Sequence, residues 1–330
     1  MLKNLPSSKL KKKCSVSTAI PSRAYNVVSL FSGCGGMDLG FKGGFSFLNK
    51  DFCKLPFEII WANDLNAAAC RTYQKNLKHP ILNGSVWDQL DTLPPSTDVV
   101  VGGFPCQDIS VNGKGAGVDG SRSGLYLAMV EVIKRTKPKI FIAENVKGLL
   151  MKHNKDSLKR VLDDFTSLGY NVTFQLYHSA NYGVPQTRER VIIVGTRPST
   201  NKFKHPDPIY PQEMWITAEQ ALSDLETVPR NPEFNHIWSL AKKSPEQGSR
   251  RLKADRAGYT VRAECHGNIH FHYKLDRRMS MREAARIQSF PDDFIFASKL
   301  RETERQVGNA VPPVLAWHIA SSVSDYLNGE

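Results

Sequence analysis

The sequence has no apolar run of the roughly 18–20 residues that a helix needs to cross a bilayer. The lysines at positions 9 and 11–13 are not followed by an apolar stretch, which excludes a secretory signal and predicts a cytoplasmic protein without a membrane partner. Its six cysteines contain no CxxC pair and no evident disulfide framework, so we expect reduced thiols. No internal repeat is present, which excludes repeat architectures.

Acidic residues are the scarcer charged type, with 32 Asp and Glu against 44 Lys and Arg, and the net charge is +12. A surplus of cations favours a polyanionic partner, most simply nucleic acid. Part of the surplus comes from the lysines of the N-terminal arm, which is the alternative explanation. The 330 residues are enough for one large α/β domain and a smaller one.

Short β-branched runs alternate with amphipathic helical patterns from Asn26 onward. Apolar strands alternating with helices predict an α/β fold, with a doubly wound, mostly parallel sheet covered on both faces. The predicted strands are Val27–Leu30, Ile59–Ala62, Val99–Val101, Ile140–Ala143, Val172–Leu176 and Val191–Val194, and helical spacing recurs from Leu125 to Ile133 and from Leu158 to Phe165.

The alternation stops after Thr196, and residues 198–277 are rich in Pro, Lys, Arg, His and aromatics. Helical signals return with a capping box made by Ser280 and Glu283, and a last helix is predicted from Pro312 to Leu327. We therefore predict four parts. They are a flexible basic arm at 1–24, a catalytic and cofactor-binding domain at 25–197, a smaller inserted domain at 198–277, and a segment at 278–330 that returns to the first domain.

The first strand leads into a glycine-rich turn, FSGCGGMDLG, and Asp64 follows the second strand. Glycines at this place let a ligand approach the backbone, and an acid after strand two suits the hydroxyls of a ribose. Asp38 stands where a dinucleotide fingerprint has its third glycine, and no GxxxxGK[ST] run exists. The pattern therefore favours an adenosine-bearing ligand without phosphates over a nicotinamide cofactor, which is the generic alternative.

Three further side chains mark strand ends. Cys106 follows the strand at Val99–Val101 and precedes a glycine-dense loop, which predicts a segment able to close over a substrate. Glu144 ends another apolar strand. Period two places Arg188 and Arg190 on one side of the chain where it enters the strand Val191–Val194. The alternatives are a small buried thiol, a solvated acid and arginines exposed at a strand start.

Six segments in this order closely resemble the DNA (cytosine-5) methyltransferases: FSGCGGMDLG, GGFPCQ, AENV, QTRER, MREAARIQSFP and QVGNAV. The resemblance covers residues 26 to about 197 and 277 to 325, and the chain has the size typical of stand-alone restriction–modification methylases. It implies methylation of C5 of a cytosine within a short specific sequence of double-stranded DNA, with S-adenosylmethionine as methyl donor. The fold implied is that of the S-adenosylmethionine-dependent methyltransferases.

By the resemblance, the Cys106 thiolate adds to C6 of a flipped cytosine, Glu144 donates a hydrogen bond or proton at N3, and Arg190 holds O2. The base that removes the C5 proton is not identified. The cofactor residues implied are Phe31, Gly33, Gly35, Gly36, Asp64, Leu65, Leu125 and Asn309. This chain departs from the family at Leu65, where an aromatic or bulky residue is usual, and at Ser85, where an acid usually follows the glycine.

The block 198–277 becomes the target-recognition domain under this resemblance. The residues expected at the DNA are Gln107, Asn112, Arg188, Thr260 and Arg262. Period two places His270 and His272 on one face of a strand, where we expect them either to contact DNA bases as polar groups or to lie at the surface. The spacing of Cys265, His266, His270 and His272 matches no common zinc site, so we expect no metal.

The resemblance also implies a monomer that associates with the nucleoid by binding DNA. A cognate restriction endonuclease would act on the same site without forming a stable complex with it. Two alternatives share the fold: a transfer-RNA cytosine methyltransferase, and a catalytically silent DNA-binding relative. The joint presence of Cys106, Glu144 and Arg190 argues against the silent relative.

Overall fold

A computed structural model describes residues 23–104, 124–241, 250–263 and 269–329. Its centre is a seven-stranded sheet, and a separate hairpin precedes the fourth strand. The strands are β1 Tyr25–Leu30, β2 Phe45–Phe47, β3 Lys50–Phe52, β4 Phe57–Asp64, β5 Leu82–Asn83, β6 Val99–Gly103, β7 Ile140–Val146, β8 Asn171–His178 and β9 Glu189–Thr196. The sheet order is β5-β4-β1-β6-β7-β9-β8. The five neighbouring strands β5, β4, β1, β6 and β7 run parallel to one another. Strand β9 is antiparallel to both β7 and β8.

The predicted fold class and all six predicted strands are confirmed. The inner strands β1, β6 and β7 are buried on both faces, which is why they consist of near-continuous apolar runs. The hairpin of β2 and β3 was not predicted, because three-residue strands are too short to show a period.

Eight α-helices lie in the described ranges: α1 Gly36–Lys42, α2 Ala67–Leu77, α3 Leu125–Thr136, α4 Lys155–Ser167, α5 Ala218–Leu222, α6 Met281–Ile287, α7 Leu300–Asn309 and α8 Pro313–Asn328. The capping box predicted at Ser280 and Glu283 is present at the start of α6. The last helix begins next to Pro312, as predicted. None of the described helices is long and apolar enough to span a lipid bilayer.

Three hydrophobic clusters organise the chain. One face of the sheet packs against α1 and α8, and the other packs against α3 and α4. The third cluster joins α5, Leu252, Val261 and Ile269 to α6 and α7. Helices α6 and α7 therefore share a core with the block 198–277, and α8 is the helix of the C-terminal segment that packs on the sheet. The boundaries of the four predicted parts remain a prediction, and most of the 1–24 arm lies outside the described residues.

Two details differ from the sequence-based expectations. Cys53 is in a disulfide bond, whereas Cys34 and Cys70 are free and buried. The expectation of reduced thiols is therefore wrong for Cys53. His270 and His272 are buried, with 6% and 0% exposure, so they are neither surface residues nor readers of DNA. Burial also lowers the pKa of His270 to about 4.

Candidate active site

A cavity of about 1290 Å³ opens at the carboxyl ends of the parallel strands. It is lined by the segments that follow β1, β4, β6 and β7, by the start of α3 and by the end of α7. Strand order alone explains this position, because the loops of neighbouring parallel strands meet at one edge of the sheet. The cavity brings together Phe31, Gly33, Gly36, Asp64, Leu65, Leu125, Glu144, Arg190 and Asn309, which are most of the predicted cofactor and catalytic residues.

The turn after β1 and the acid after β4 form one unit. The backbone N–H of Gly33 donates to Oδ2 of Asp64 at 2.7 Å, and the N–H of Asn66 donates to Oδ1 at 2.8 Å. Phe31 has a left-handed backbone with φ of 53°, which turns the chain sharply away from the strand. Burial raises the pKa of the Asp64 carboxyl. The carboxylate is thus fixed in direction at the cavity wall.

Two positions of the turn require glycine because neighbouring segments pack closely against them. A Cβ on Gly36 would lie 2.5 Å from the carbonyl oxygen of Val311, so only glycine lets α1 begin this close to the chain before α8. Gly35 has φ of 92°, and its Cβ position lies 2.5 Å from Leu77 Cδ1. A side chain at Gly35 would therefore collide with helix α2, and the predicted role of Gly35 at the cofactor stays a prediction.

Large apolar side chains are exposed on the wall next to Asp64. Leu65 is 74% exposed and Trp87 is 43% exposed, and both line the cavity. Trp87 lies in the 3₁₀ turn after β5, where the hydroxyl of Ser85 accepts its backbone N–H at 3.3 Å. Apolar surface that stays open inside a cavity is typical of a ligand site. The sequence analysis missed Trp87, although an aromatic two residues after Ser85 was the available signal.

Glu144 and Arg190 face each other across two paired strands. Arg190 Nε lies 2.6 Å from Glu144 Oε1, and their side chains are 12% and 11% exposed. Glu144 lies two residues before the end of β7, and Arg190 is the second residue of β9. The antiparallel register places them diagonally opposite, because Glu144 pairs with Ile192 and Arg190 pairs with Val146. On the other side of β7, Gly103 pairs with Glu144, and a Cβ there would lie 2.8 Å from Glu144 Oε2. Three strands therefore fix this carboxylate at the cavity.

Cys106, Gln107 and Asn112 lie outside the described residues. The described chain leads towards them through Phe104, which lines the cavity at the end of β6. The Nδ2 of Asn145 donates to the carbonyl oxygen of Phe104 at 3.0 Å and fixes this end of the strand beside Glu144.

Arg188 does not have the predicted position. Its side chain is 1% exposed, and its guanidinium donates to the carbonyl oxygens of Val261, Gly308 and Ala310. Strand β9 begins at Glu189, so the period-two argument that paired Arg188 with Arg190 does not apply to it. The prediction that Arg188 binds DNA is wrong, because a buried guanidinium bonded to backbone carbonyls cannot reach a duplex.

Thr260 and Arg262 lie beside this arginine. The Thr260 hydroxyl donates to the carbonyl oxygen of Thr187 at 2.9 Å, which leaves its side chain partly buried. Arg262 is exposed, as are Arg250, Arg251, Lys253 and Arg256. The described residues contain no cluster of three or more His, Cys, Asp or Glu side chains able to hold a metal ion.

Comparison with known proteins agrees with this geometry. The family model described as C-5 cytosine-specific DNA methylase matches residues 25–243 and 235–325. The chain is 36% identical to the type II methyltransferase M.NgoFVII of Neisseria gonorrhoeae, over 90% of this chain and 86% of that protein. It is 34% identical to M.FnuDI of Fusobacterium nucleatum, over 91% and 94%, and 34% identical to M.MthTI of Methanothermobacter thermautotrophicus, over 92% and 98%.

Solved structures show the same fold. A putative DNA modification methyltransferase from an Escherichia coli prophage aligns with a TM-score of 0.69 and 21% identity, over 92% of this chain and all of that one. The Dnmt2 methyltransferase of Schizosaccharomyces pombe aligns with a TM-score of 0.68 and 18% identity, over 92% and 99%. The fold is thus that of the S-adenosylmethionine-dependent methyltransferases. The chain belongs to the C-5 cytosine-specific DNA methylase family and is a DNA (cytosine-5-)-methyltransferase.

Proposed function

We propose that this enzyme methylates one cytosine in a short specific sequence of double-stranded DNA, through covalent addition of Cys106 to a flipped base. The observation that carries the proposal is the buried Glu144–Arg190 pair. It lies in the same cavity as the Gly33–Asp64 turn and beside the strand that leads to Cys106. One cavity therefore offers a place for a methyl donor and a charged pair for a target base.

The residues of the cavity fit S-adenosylmethionine. Asp64, already oriented by two backbone N–H groups, would accept from the ribose hydroxyls. Leu65 and Trp87 provide exposed apolar surface for an adenine, and the close-packed Phe31–Gly36 turn offers backbone groups. Leu125 and Asn309 would border the methionine part. The bound cofactor supplies an electrophilic methyl group.

The chain's own groups supply the rest of the chemistry. The Cys106 thiolate forms a bond to C6 of cytosine, and negative charge develops on N3 and O2. Glu144 holds a proton or hydrogen bond at N3, and Arg190 holds O2. C5 would take the methyl group as that group's bond to the donor's sulfur breaks. A base then accepts the C5 proton, and the bond between Cys106 and C6 breaks to release the thiolate. Burial of the Glu144–Arg190 pair keeps both groups aligned before the base arrives.

Sequence choice would come from the block 198–277. A flipped base looks the same in any sequence, so the cavity cannot read its neighbours. The exposed Arg250, Arg251, Arg256 and Arg262 suit phosphates and guanine edges, and Thr260 lies next to Arg262. Gln107 and Asn112 would contact the DNA around the vacated place. We further propose a monomer that protects host DNA from a cognate endonuclease, as the type II names of the relatives suggest.

The covalent mechanism is tested with a duplex containing 5-fluorocytosine at the methylated position. Fluorine cannot leave C5 as a cation, so the Cys106 adduct should persist after methyl transfer. We expect a cofactor-dependent protein–DNA band on denaturing gels, absent in Cys106→Ala and present in the matched control Cys70→Ala, whose thiol is buried and does not line the cavity. If a duplex that the enzyme otherwise methylates gave no such band, the covalent mechanism would be excluded.

The substrate and its recognition are tested together. Bisulfite sequencing of DNA from cells expressing the chain should map one short methylated sequence. Methyl transfer to transfer RNA and not to duplex DNA would favour the RNA alternative. Exchange of residues 198–277 with those of a relative of different specificity should move methylation to the relative's site. An active chimera that kept the original site would contradict the role proposed for this block.

A further inference from the structure

The three residues before β9 connect the sheet to the block 198–277. The side-chain Oε1 of Gln186 accepts the backbone N–H of Val261 at 2.9 Å. The N–H of Thr187 donates to the carbonyl oxygen of Gly258 at 2.8 Å. Gln186 and Val261 are buried, so the bond between them is formed away from water, where an unpaired group is costly. The Gly258–Val261 segment is therefore fixed to the residues that precede β9.

Arg188 extends this connection to the cofactor cavity. One terminal nitrogen donates to Val261 O at 2.9 Å, and the other donates to Gly308 O at 2.9 Å and Ala310 O at 3.1 Å. Gln186 holds the N–H of Val261 and Arg188 holds its carbonyl, so both polar backbone groups of this residue are fixed. Within the described part of the chain Arg188 forms no ion pair, and both of its terminal nitrogens donate to these carbonyls.

The two segments held by Arg188 also touch each other directly. A Cβ on Gly308 would lie 2.4 Å from the carbonyl carbon of Arg262 and 2.4 Å from the backbone nitrogen of Ala263. Gly308, Asn309 and Ala310 all line the cavity. The backbone of a proposed DNA-reading residue thus lies against the cavity wall with no space for a methyl group between them.

We propose that Arg188 is a positioning residue that couples cofactor binding to the placement of the Thr260–Arg262 segment on DNA. The inference rests on the proposed function and adds to it a connection between its two binding sites. A guanidinium has several donors in a rigid plane and can hold carbonyls of two segments at once. Because the contact is close-packed, a shift of the Thr260–Arg262 segment moves the wall at Gly308–Ala310, and the reverse also holds. Linkage makes such an effect reciprocal.

The test measures this coupling in the full-length protein. Calorimetry gives the affinity for S-adenosylhomocysteine with and without a saturating duplex that carries the mapped site. We expect the duplex to change that affinity about fivefold or more in the wild type, and the cofactor product to change duplex affinity by the same factor. Arg188→Lys should bring both factors close to one, because an ammonium carries its donors on one nitrogen and lacks the planar spread that reaches both segments. An unchanged factor in Arg188→Lys would overturn the proposal, and so would a wild-type factor of one.

The matched control is Arg282→Lys. Arg282 is also fully buried, and its guanidinium donates to the carbonyl oxygens of Phe234, Pro291 and Phe294. These acceptors do not line the cavity. Its replacement should lower thermal stability much as Arg188→Lys does while leaving the coupling factor at the wild-type value. Equal loss of coupling in both variants would assign the effect to general destabilisation and refute the role of Arg188.

If Arg188→Lys does not fold, hydrogen exchange on the wild type tests the same coupling. S-adenosylhomocysteine alone should slow exchange of the Val261 amide, which the cofactor cannot touch directly, by about threefold or more. No change at Val261 with clear protection at Asn309 would overturn the coupling. Failure of the proposed function looks different, because S-adenosylhomocysteine would then not bind or C5 methylation would be absent.

Discussion

Arg190 Nε lies 2.6 Å from Glu144 Oε1, and the second oxygen of the same carboxylate lies over the α-carbon of Gly103. The pair is nearly buried, so neither charge can be removed without leaving the other unpaired in a poorly solvated place. A target base entering the cavity meets both groups already in position, which is the condition for electrostatic stabilisation without reorganisation.

Gly103→Ala tests how finely the carboxylate is placed. The new Cβ would lie 2.8 Å from Glu144 Oε2 and should push the carboxylate away from its position. We expect methyl transfer to fall about 10–100-fold, while S-adenosylhomocysteine affinity changes little. Tritiated methyl incorporation and calorimetry measure the two. The control is Gly148→Ala, where the Cβ would make an ordinary 3.6 Å contact with Val146. Wild-type turnover in Gly103→Ala would contradict the importance of this placement.

Asp64→Ala should weaken cofactor binding by roughly 1–3 kcal/mol, because it removes acceptors for the ribose hydroxyls and frees the N–H of Gly33. Calorimetry with S-adenosylhomocysteine measures the loss, and affinity for duplex should change little. Asp91→Ala is the control, since that side chain is fully exposed in a surface pair with Arg135. If duplex affinity fell and cofactor affinity held, the cavity would be assigned to the wrong ligand.

We expect Trp87 to stack on the adenine, because this chain has Leu65 at the position after Asp64 where an aromatic residue is usual. Its indole is 43% exposed inside the cavity. Trp87→Ala should cost roughly 1–3 kcal/mol of S-adenosylhomocysteine affinity, and Trp87→Phe much less. Binding should quench tryptophan fluorescence in the wild type and in Trp215→Phe but not in Trp87→Phe. Undiminished quenching in Trp87→Phe would rule out this contact.

Glu304 gives a prediction for pH. Burial raises the pKa of this carboxyl from 4.5 to about 7, against the opposing effect of Arg278 and Arg301. The folded state therefore holds the proton more tightly than the unfolded chain. The stabilisation is complete below about pH 4.5 and is lost as the pH rises through 7, by up to about 3 kcal/mol in all.

Glu304→Gln removes this titration. The thermal stability of the wild type relative to Glu304→Gln should therefore fall between pH 5 and pH 8, as measured by calorimetry in matched buffers. Glu219→Gln, an exposed position on α5, serves as the control and should leave the pH profile of the wild type unchanged. Parallel curves for the wild type and Glu304→Gln would contradict the buried titration of Glu304.

The sequence predicted the sheet and much of the cavity for a local reason. Apolar runs such as Val99–Val101 and Ile140–Ala143 report burial on both faces, and residues that follow parallel strands meet at one edge. The positions of Asp64 and Glu144 at this edge therefore follow from the sequence alone. Ser280 with Glu283 likewise marked a helix start, because a capping box is satisfied within four residues.

Only the tertiary structure determines the partners of Arg188, the exposure of Trp87 and the burial of His272. Arg188 precedes β9, so no strand period directs it, and its partners Val261 and Gly308 are 73 and 120 positions away. The exposure of Trp87 depends on how the turn after β5 meets the cavity. The burial of His272 depends on how this residue packs against α6, where its Nε2 lies 3.8 Å from Glu283 Oε1. Sequence patterning determines which side chains leave water along a regular strand or helix. Outside those elements, only the contacts between distant segments determine where a polar side chain finds its partners.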